Sequence, residues 1–524
     1  MKIFKQPQVS LSLYIGLGFF FVAVLAELSV ILILNSGKLV YTLDDPYIHM
    51  ALAENISAMH YGVNANEFSA PSSSILWPFI LAPFASCEVF PLVLNIIFAI
   101  LTIYVFYKVV SISIDAENNI CDLVLISLLL ILLILTTNLI GLVFIGMEHN
   151  LQVLLSSLIA YGLIVEAKTN RLMFWLAFAV VAAPLIRYEN LAVSTTALIY
   201  LIVRKYHKTA LVSGILLALC IGGFSLFLSL LGLDIIPTSI IAKTNLMQNA
   251  GSLNSVVKNL LATLTERQGV VLSIGVMGML VYFLFETTSQ KKLLAVSTIF
   301  ACLMHFVAGK YGWYHRYEIY IWSFLLLIFL YFIGPQIRKI LTGDWKRTLV
   351  KITIAAIAFV GVATPQYVGR LFTLPLASNN IYEQQYQLHR FAIYYNKPVA
   401  VNDLGYVSYK NDNYVLDLGG LASRQVLRDR MEEHNDDWMD EICRENNVEL
   451  AMIYESWFSD SIPDNWIKIG ELYLGKEKIT PAVNAVAFYA TNQEAYANIV
   501  EKLRLFVKTL PPDVKFTFVE NGSD

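Results

Sequence analysis

The sequence predicts a polytopic α-helical membrane protein carrying a soluble α/β domain at its C-terminal end. Composition comes first: the 524 residues are 57% apolar and 15% charged, where ordinary soluble domains hold about 45–50% and about 25%. Mean hydropathy is +0.60, which excludes a soluble globular enzyme, a disordered chain and a disulfide scaffold. The second observation is the uneven distribution, because long apolar runs fill residues 1–365 and mixed polar sequence fills residues 366–524. The third is charge: a net −3 provides no basic field, so no nucleic-acid partner is expected. The five cysteines form no CxxC pair, and neither a metal nor a cofactor is expected.

The first apolar run, Leu11 to Leu34, follows Lys2 and Lys5 and reads as a retained signal anchor with its N-terminus inside. Short cytoplasmic loops collect Lys and Arg, and four such clusters recur: Lys168/Arg171, Arg204/Lys205/Lys208, Lys291/Lys292 and Arg338/Lys339/Lys346/Arg347. The loops between them, around Arg187–Asn190, Asp234–Gln268 and Gly309–Tyr317, then face outward. Pro78, Pro83 and Pro91 break the stretch from Ile75 to Val110 into a short and a long piece, and parity favours a single crossing there. A last span from about Leu349 to Val362 delivers the C-terminal domain to the outside, for about 11–13 spans in all. Beyond it, Val399–Val401, Tyr414–Leu418, Leu450–Tyr454 and Val486–Tyr489 read as strands, with helical stretches over Ser423–Asn446 and Asn492–Lys508.

The first outward loop, residues 35–74, places Asp44 and Asp45 side by side just past the first span. Like charges repel, so one carboxyl is expected to titrate high. Pro46 suits a first helical turn, which makes Asp45 a candidate N-cap for an amphipathic stretch from Tyr47 to Met59 and leaves Asp44 the preferred general base. The same loop carries His49 and the polar run Ser72-Ser73-Ser74 leading into Trp77. The other outward loops carry Glu148, Arg187 with Glu189, Lys243, and a patch containing His315, Arg316, Tyr317 and Glu318. Each could be an interfacial or paired residue. Together they place acidic groups early and basic groups late on one membrane face. A carboxylate that deprotonates an acceptor hydroxyl, with cations to hold a departing phosphate, suits group transfer from a lipid-linked phosphate.

Those residues carry a resemblance. The sequence resembles the GT-C superfamily of membrane glycosyltransferases that use polyprenyl-phosphate sugars, nearest to the mycobacterial-type arabinofuranosyltransferase branch. The matching elements are Asp44-Asp45-Pro46-Tyr47-Ile48, Ala70 to Trp77, Gly146-Met147-Glu148 and Arg187-Tyr188-Glu189. Pro237-Thr238 with Ala242-Lys243, the Gly312–Tyr317 patch, Asn402 to Tyr406 and Leu416 to Leu421 complete the set, in order. Tyr188 stands where the family has Pro, and His149-Asn150 replace smaller residues.

The resemblance implies a GT-C-like membrane domain with its active site and C-terminal domain on the periplasmic or extracellular side of an inner (cytoplasmic) membrane. It implies inverting transfer of a sugar, arabinofuranose or another pentose or hexose, from a polyprenyl-phosphate donor to a glycan, lipid or protein acceptor. Asp44 and Asp45 would be catalytic, and Lys243, His315, Arg316 and Arg187 would bind donor phosphate. Tyr47, His49, Ser72, Ser73, Glu148, Glu189 and Tyr317 would contact substrate. The rival is a transporter or flippase of a polyprenyl-linked or anionic substrate, which would place paired broken helices and charges near the bilayer midplane. A polysaccharide polymerase or ligase would favour a dominant basic outer loop over a leading Asp pair.

Overall fold

The computed structural model describes residues 7–117, 119–243, 253–312, 314, 316–342, 369–432 and 437–519. They divide into two compact units. The first, helical unit takes the described residues of Met1–Glu27, Leu92–Gly223 and Asn249–Phe372. The second takes those of Leu28–Pro91, Phe224–Gln248 and Thr373–Asp524, so the first outward loop clusters with the C-terminal region rather than with most of the apolar helices.

Among the described residues, eight helices are long and apolar enough to cross a bilayer, from Ser10–Leu34 to Ile319–Arg338. Phe174–Ile186 and Tyr188–Val203 are shorter apolar helices. The proline-broken stretch folds as expected: a short helix Trp77–Leu81, a 3₁₀ turn Ala82–Phe84, then one long helix Phe90–Ser113. The expected last span, Leu349 to Val362, lies outside the described residues.

Ion pairs gather at one end of the helical unit. Asp115 accepts from Lys168 at 2.6 Å, and its carbonyl accepts from Arg338, which also pairs with Glu117 and Asp122. Lys168 lies in the last turn of helix His149–Thr169, whose N-cap is Glu148. That helix has 21 residues, so at 1.5 Å per residue these two ends stand roughly 30 Å apart, one membrane thickness.

The second unit is built on a six-stranded mixed sheet. Its strands are β1 (Val399–Val401), β2 (Val415–Asp417), β3 (Leu450–Ile453), β4 (Ile467–Tyr473), β5 (Ala485–Ala490) and β6 (Lys515–Phe518), in the order β2-β1-β3-β5-β4-β6. β1 runs parallel to both β2 and β3, and the remaining pairs are antiparallel. Ala400, Leu416 and Ala451 face a core completed by Trp438, Met439 and Ile442 of helix Trp438–Glu445. Elsewhere, Phe391 of helix Gln385–Tyr395 packs on Phe488 and on Phe506 of helix Gln493–Phe506. The four strands expected from the sequence are β1, β2, β3 and β5. The helical stretch expected over Ser423–Asn446 contains two helices, Arg424–Glu432 and Trp438–Glu445. β4 and β6 went unforeseen: β4 breaks register between Lys468 and Gly470, and β6 is a four-residue edge strand paired only with β4.

Candidate functional site

In the second unit, the carboxyl ends of the three parallel strands carry Asp403, Asp417 and Tyr454, the edge where open α/β sheets place ligands. Helix Asp45–Ser57 of the first loop opens beside the Asp403 turn. Asp44 precedes that helix as its N-cap residue, but its side chain makes no capping bond. Instead its two oxygens accept the backbone N–H groups of Gly405 at 2.7 Å and Tyr406 at 2.8 Å. The fit is close, since a Cβ on Gly405 would come within 2.2 Å of the Asp44 carbonyl oxygen. The expected roles of the pair therefore change. Asp45 does not cap the helix; it is the first helical residue, with Pro46 behind it. Asp44, expected as the preferred base, is tied to the backbone through both oxygens.

Asp403 joins the pair as a third carboxylate. It accepts from the Tyr454 hydroxyl at 2.8 Å and from Gln385 Nε2 at 2.9 Å. Burial and then the Asp403 charge push the Asp44 carboxyl well above the ordinary aspartate range, against the pull of its two backbone N–H bonds. Burial, and then the charge of Asp45, likewise push Asp403 up, while its bonds from Tyr454 and Gln385 pull it down. Like charges gathered this way do not all ionise together.

Around this cluster, the expected substrate residues of the first loop are well buried. Tyr47 stacks on Tyr406 with ring centroids 3.8 Å apart, and its hydroxyl accepts from the Tyr41 N–H. His49 Nδ1 lies 3.1 Å from Ser72 Oγ. The same Ser72 Oγ lies 2.7 Å from the Ser74 carbonyl. Ser73 reaches Ser239 at 3.4 Å, and the Thr238 hydroxyl bonds to the carbonyls of Ala70 and Leu421. These bonds tie the 237–239 turn to the first loop. Lys243 ends helix Thr238–Lys243, and its side chain lies outside the described residues.

The helical unit holds the other expected group by itself. Helix Phe174–Ile186 stops where Arg187 becomes extended, and a 3₁₀ turn Tyr188–Asn190 follows. That break aims Arg187 inward, where it is 2% exposed. It pairs with Glu148 at 2.7 Å, and through Nε and Nη2 with both oxygens of Glu189, at 3.2 and 2.7 Å. Arg187, expected to hold donor phosphate, thus has its charge answered by two carboxylates. Arg316 is buried against Met147 Sδ at 2.8 Å and the Tyr317 hydroxyl at 3.3 Å, with its guanidinium over the Tyr317 ring. Glu318 accepts from the Gly312 N–H. His315 lies outside the described residues.

Residues 379–492 match a family described as a domain of unknown function, DUF8728. The match lies within the second unit and includes Asp403, Gly405 and Tyr454. No curated protein matches the chain. Asp403 was visible in the sequence only as part of an Asp-Leu-Gly-Tyr turn, and nothing local marks Tyr454 or Gln385 as its partners.

Proposed function

We propose that the protein is an inverting membrane glycosyltransferase of the GT-C type, moving a sugar from a polyprenyl-phosphate carrier to an acceptor hydroxyl at the outer face of an inner membrane. The observation that supports this most is the gathering of Asp44, Asp45 and Asp403 where the first-loop helix begins and the parallel strand β1 ends. A buried cluster in which Asp44 and Asp403 are raised above the ordinary aspartate range suits proton exchange. Asp45 is the base in this reading. Asp44 positions the turn at Gly405 and Tyr406 through its two backbone bonds, and Asp403 lies close enough to Asp45 for their charges to interact.

The step itself is one displacement. The acceptor oxygen attacks the anomeric carbon as Asp45 takes its proton, the bond from that carbon to the phosphate oxygen breaks, and the lipid phosphate leaves from the opposite side. Within the helical unit taken by itself, Arg316 is the candidate contact for a lipid phosphate, and Arg187 organises Glu148 and Glu189 as candidate contacts for sugar hydroxyls. Membranes holding the chain, incubated with a panel of radiolabelled polyprenyl-phosphate sugars, should transfer label to endogenous glycan or lipid with inversion. An Asp45→Asn variant present at equal amount should not.

One observation favours the transporter reading. Helix His149–Thr169 buries Asn150, Gln152, Ser156 and Ser157 inside an apolar bundle, and polar side chains within spans mark substrate pathways. Movement of labelled carrier without a new glycosidic bond would decide for it.

A further inference from the structure

A second feature of the sheet-bearing unit lies apart from the carboxylate cluster. Helix Gln385–Tyr395 carries Tyr386, His389, Arg390, Ile393 and Tyr394 at positions i, i+3, i+4, i+7 and i+8. That spacing makes one continuous face, the kind that normally packs into a core. Here it lines an open cavity of about 520 Å³, and Ile393 and Tyr394 remain 41% and 46% exposed. The volume lies within the range of small-ligand sites, about 300–1,000 Å³.

The lining has two chemistries. Aromatic faces come from Tyr386, which stacks on His389, and from Tyr394, which stacks on Phe506 across the cavity. Cations come from Lys38, Arg390 and Lys410, against the single carboxylate of Glu88. Lys410 pairs with Glu88 at 3.3 Å. Lys38 Nζ sits 4.6 Å from the Tyr386 ring centroid and forms no ion pair among the described residues. Arg390 is held by Gln387 and Thr509 without a carboxylate. Burial and the Lys38 charge lower the His389 imidazole to about 4, so it stays neutral and adds no charge. Two cations therefore face the cavity without an acidic partner.

We propose that this cavity binds an acidic glycan, with a sugar ring stacked on Tyr386 and Tyr394 and its carboxylate or phosphate group against Lys38 and Arg390. The C–H face of a sugar ring packs on an aromatic ring as an apolar surface does, while its rim needs hydrogen-bond partners such as Thr509 and Arg390. A lipid phosphate would use the cations but leave the aromatic face without a partner. As an acceptor subsite the cavity rests on the glycosyl-transfer reading; as a binding site it does not.

The test uses the full chain in phosphatidylcholine nanodiscs, titrated by calorimetry with trigalacturonate and with neutral maltotriose at matched ionic strength. The acidic trisaccharide should bind about tenfold tighter, a difference of about 1.4 kcal/mol. Lys38→Gln should abolish that preference and Lys38→Arg should keep it. Tyr394→Ser, at a largely exposed position, should weaken both ligands at unchanged melting temperature. Equal binding of the two sugars, or indifference to both Lys38→Gln and Tyr394→Ser, overturns the proposal. So does binding to phosphatidylglycerol vesicles, lost in Lys38→Gln, with no binding of trigalacturonate. Absence of sugar transfer by the wild type, with trigalacturonate binding intact, would sink the enzyme reading and leave this one standing.

Discussion

The carboxylates of the two units sit in opposite electrostatic settings. In the helical unit, Glu148 and Glu189 flank one guanidinium, so each negative charge meets a cation at 2.7 Å. In the second unit, Asp403 and Asp45 raise the proton affinity of Asp44 and Asp45 raises that of Asp403, while Asp44 and Asp403 accept hydrogen bonds from backbone N–H groups and neutral side chains. In the first setting a guanidinium answers the buried carboxylates; in the second, burial and like charge together raise Asp44 and Asp403. A carboxylate whose proton affinity is raised is better placed to exchange a proton than one of ordinary affinity. On the proposed function, the first group of acids is structural and the second does the chemistry, although the sequence presents both as acids at the edges of apolar runs.

Substitutions can break that comparison. The largest effect is expected at Asp45: Asp45→Asn should cut sugar transfer by about 10²–10⁴-fold at unchanged expression. Near-normal turnover in this variant, with a large loss in Asp44→Asn, would return the base to Asp44. Next is Arg187→Met, which leaves Glu148 buried without its cation and should destabilise the helical unit by about 3–5 kcal/mol, read as a fall in melting temperature in detergent. A stable Arg187→Met protein that loses only donor affinity would instead make Arg187 a phosphate ligand. Gly405→Ala forces a Cβ into the Asp44 backbone, so turnover should fall with little change in donor affinity, because the turn beside the base is displaced.

Smaller effects are expected from pH. Burial and neighbouring charge raise Asp44 and Asp403, so these two carboxyls ionise only as pH climbs above the ordinary aspartate range, and a kcat/KM limb that depends on either should rise there. Removing one charge with Asp403→Asn should move that rising limb to lower pH. An unmoved limb would mean that Asp403 does not act on the base. Asp417 is the smallest case: burial raises it from 3.8 to about 6 despite its backbone N–H bonds. The native state then holds this proton more tightly than the unfolded chain does, so its stabilising contribution is complete below about 4 and is lost as pH rises through about 6. Asp417→Asn should flatten that part of a melting-temperature profile.

How much of this was legible from the sequence depends on how local each feature is. Long apolar runs announce their own helices, and Lys168, Arg204 and Arg338 stand at or near helix ends because cations are costly inside such runs. The strands β1, β2, β3 and β5 were readable for the same reason, as short apolar runs between polar stretches. β6 was not, because a four-residue edge strand draws its order from β4 rather than from its own sequence. The sites divide in the same way. Adjacent Asp44 and Asp45 can be noticed in any window. The third carboxylate comes from more than 350 positions away, brought in by Asp44 bonds to Gly405 and Tyr406 at separations of 361 and 362, and one of the two carboxylates paired with Arg187 lies 39 positions away. Local pattern determined which segments are helix, strand or turn, since that depends on a side chain's preference for apolar or aqueous surroundings. Only tertiary structure decided which acids are neutralised and which repel, because the energy of a charge depends on what folds against it.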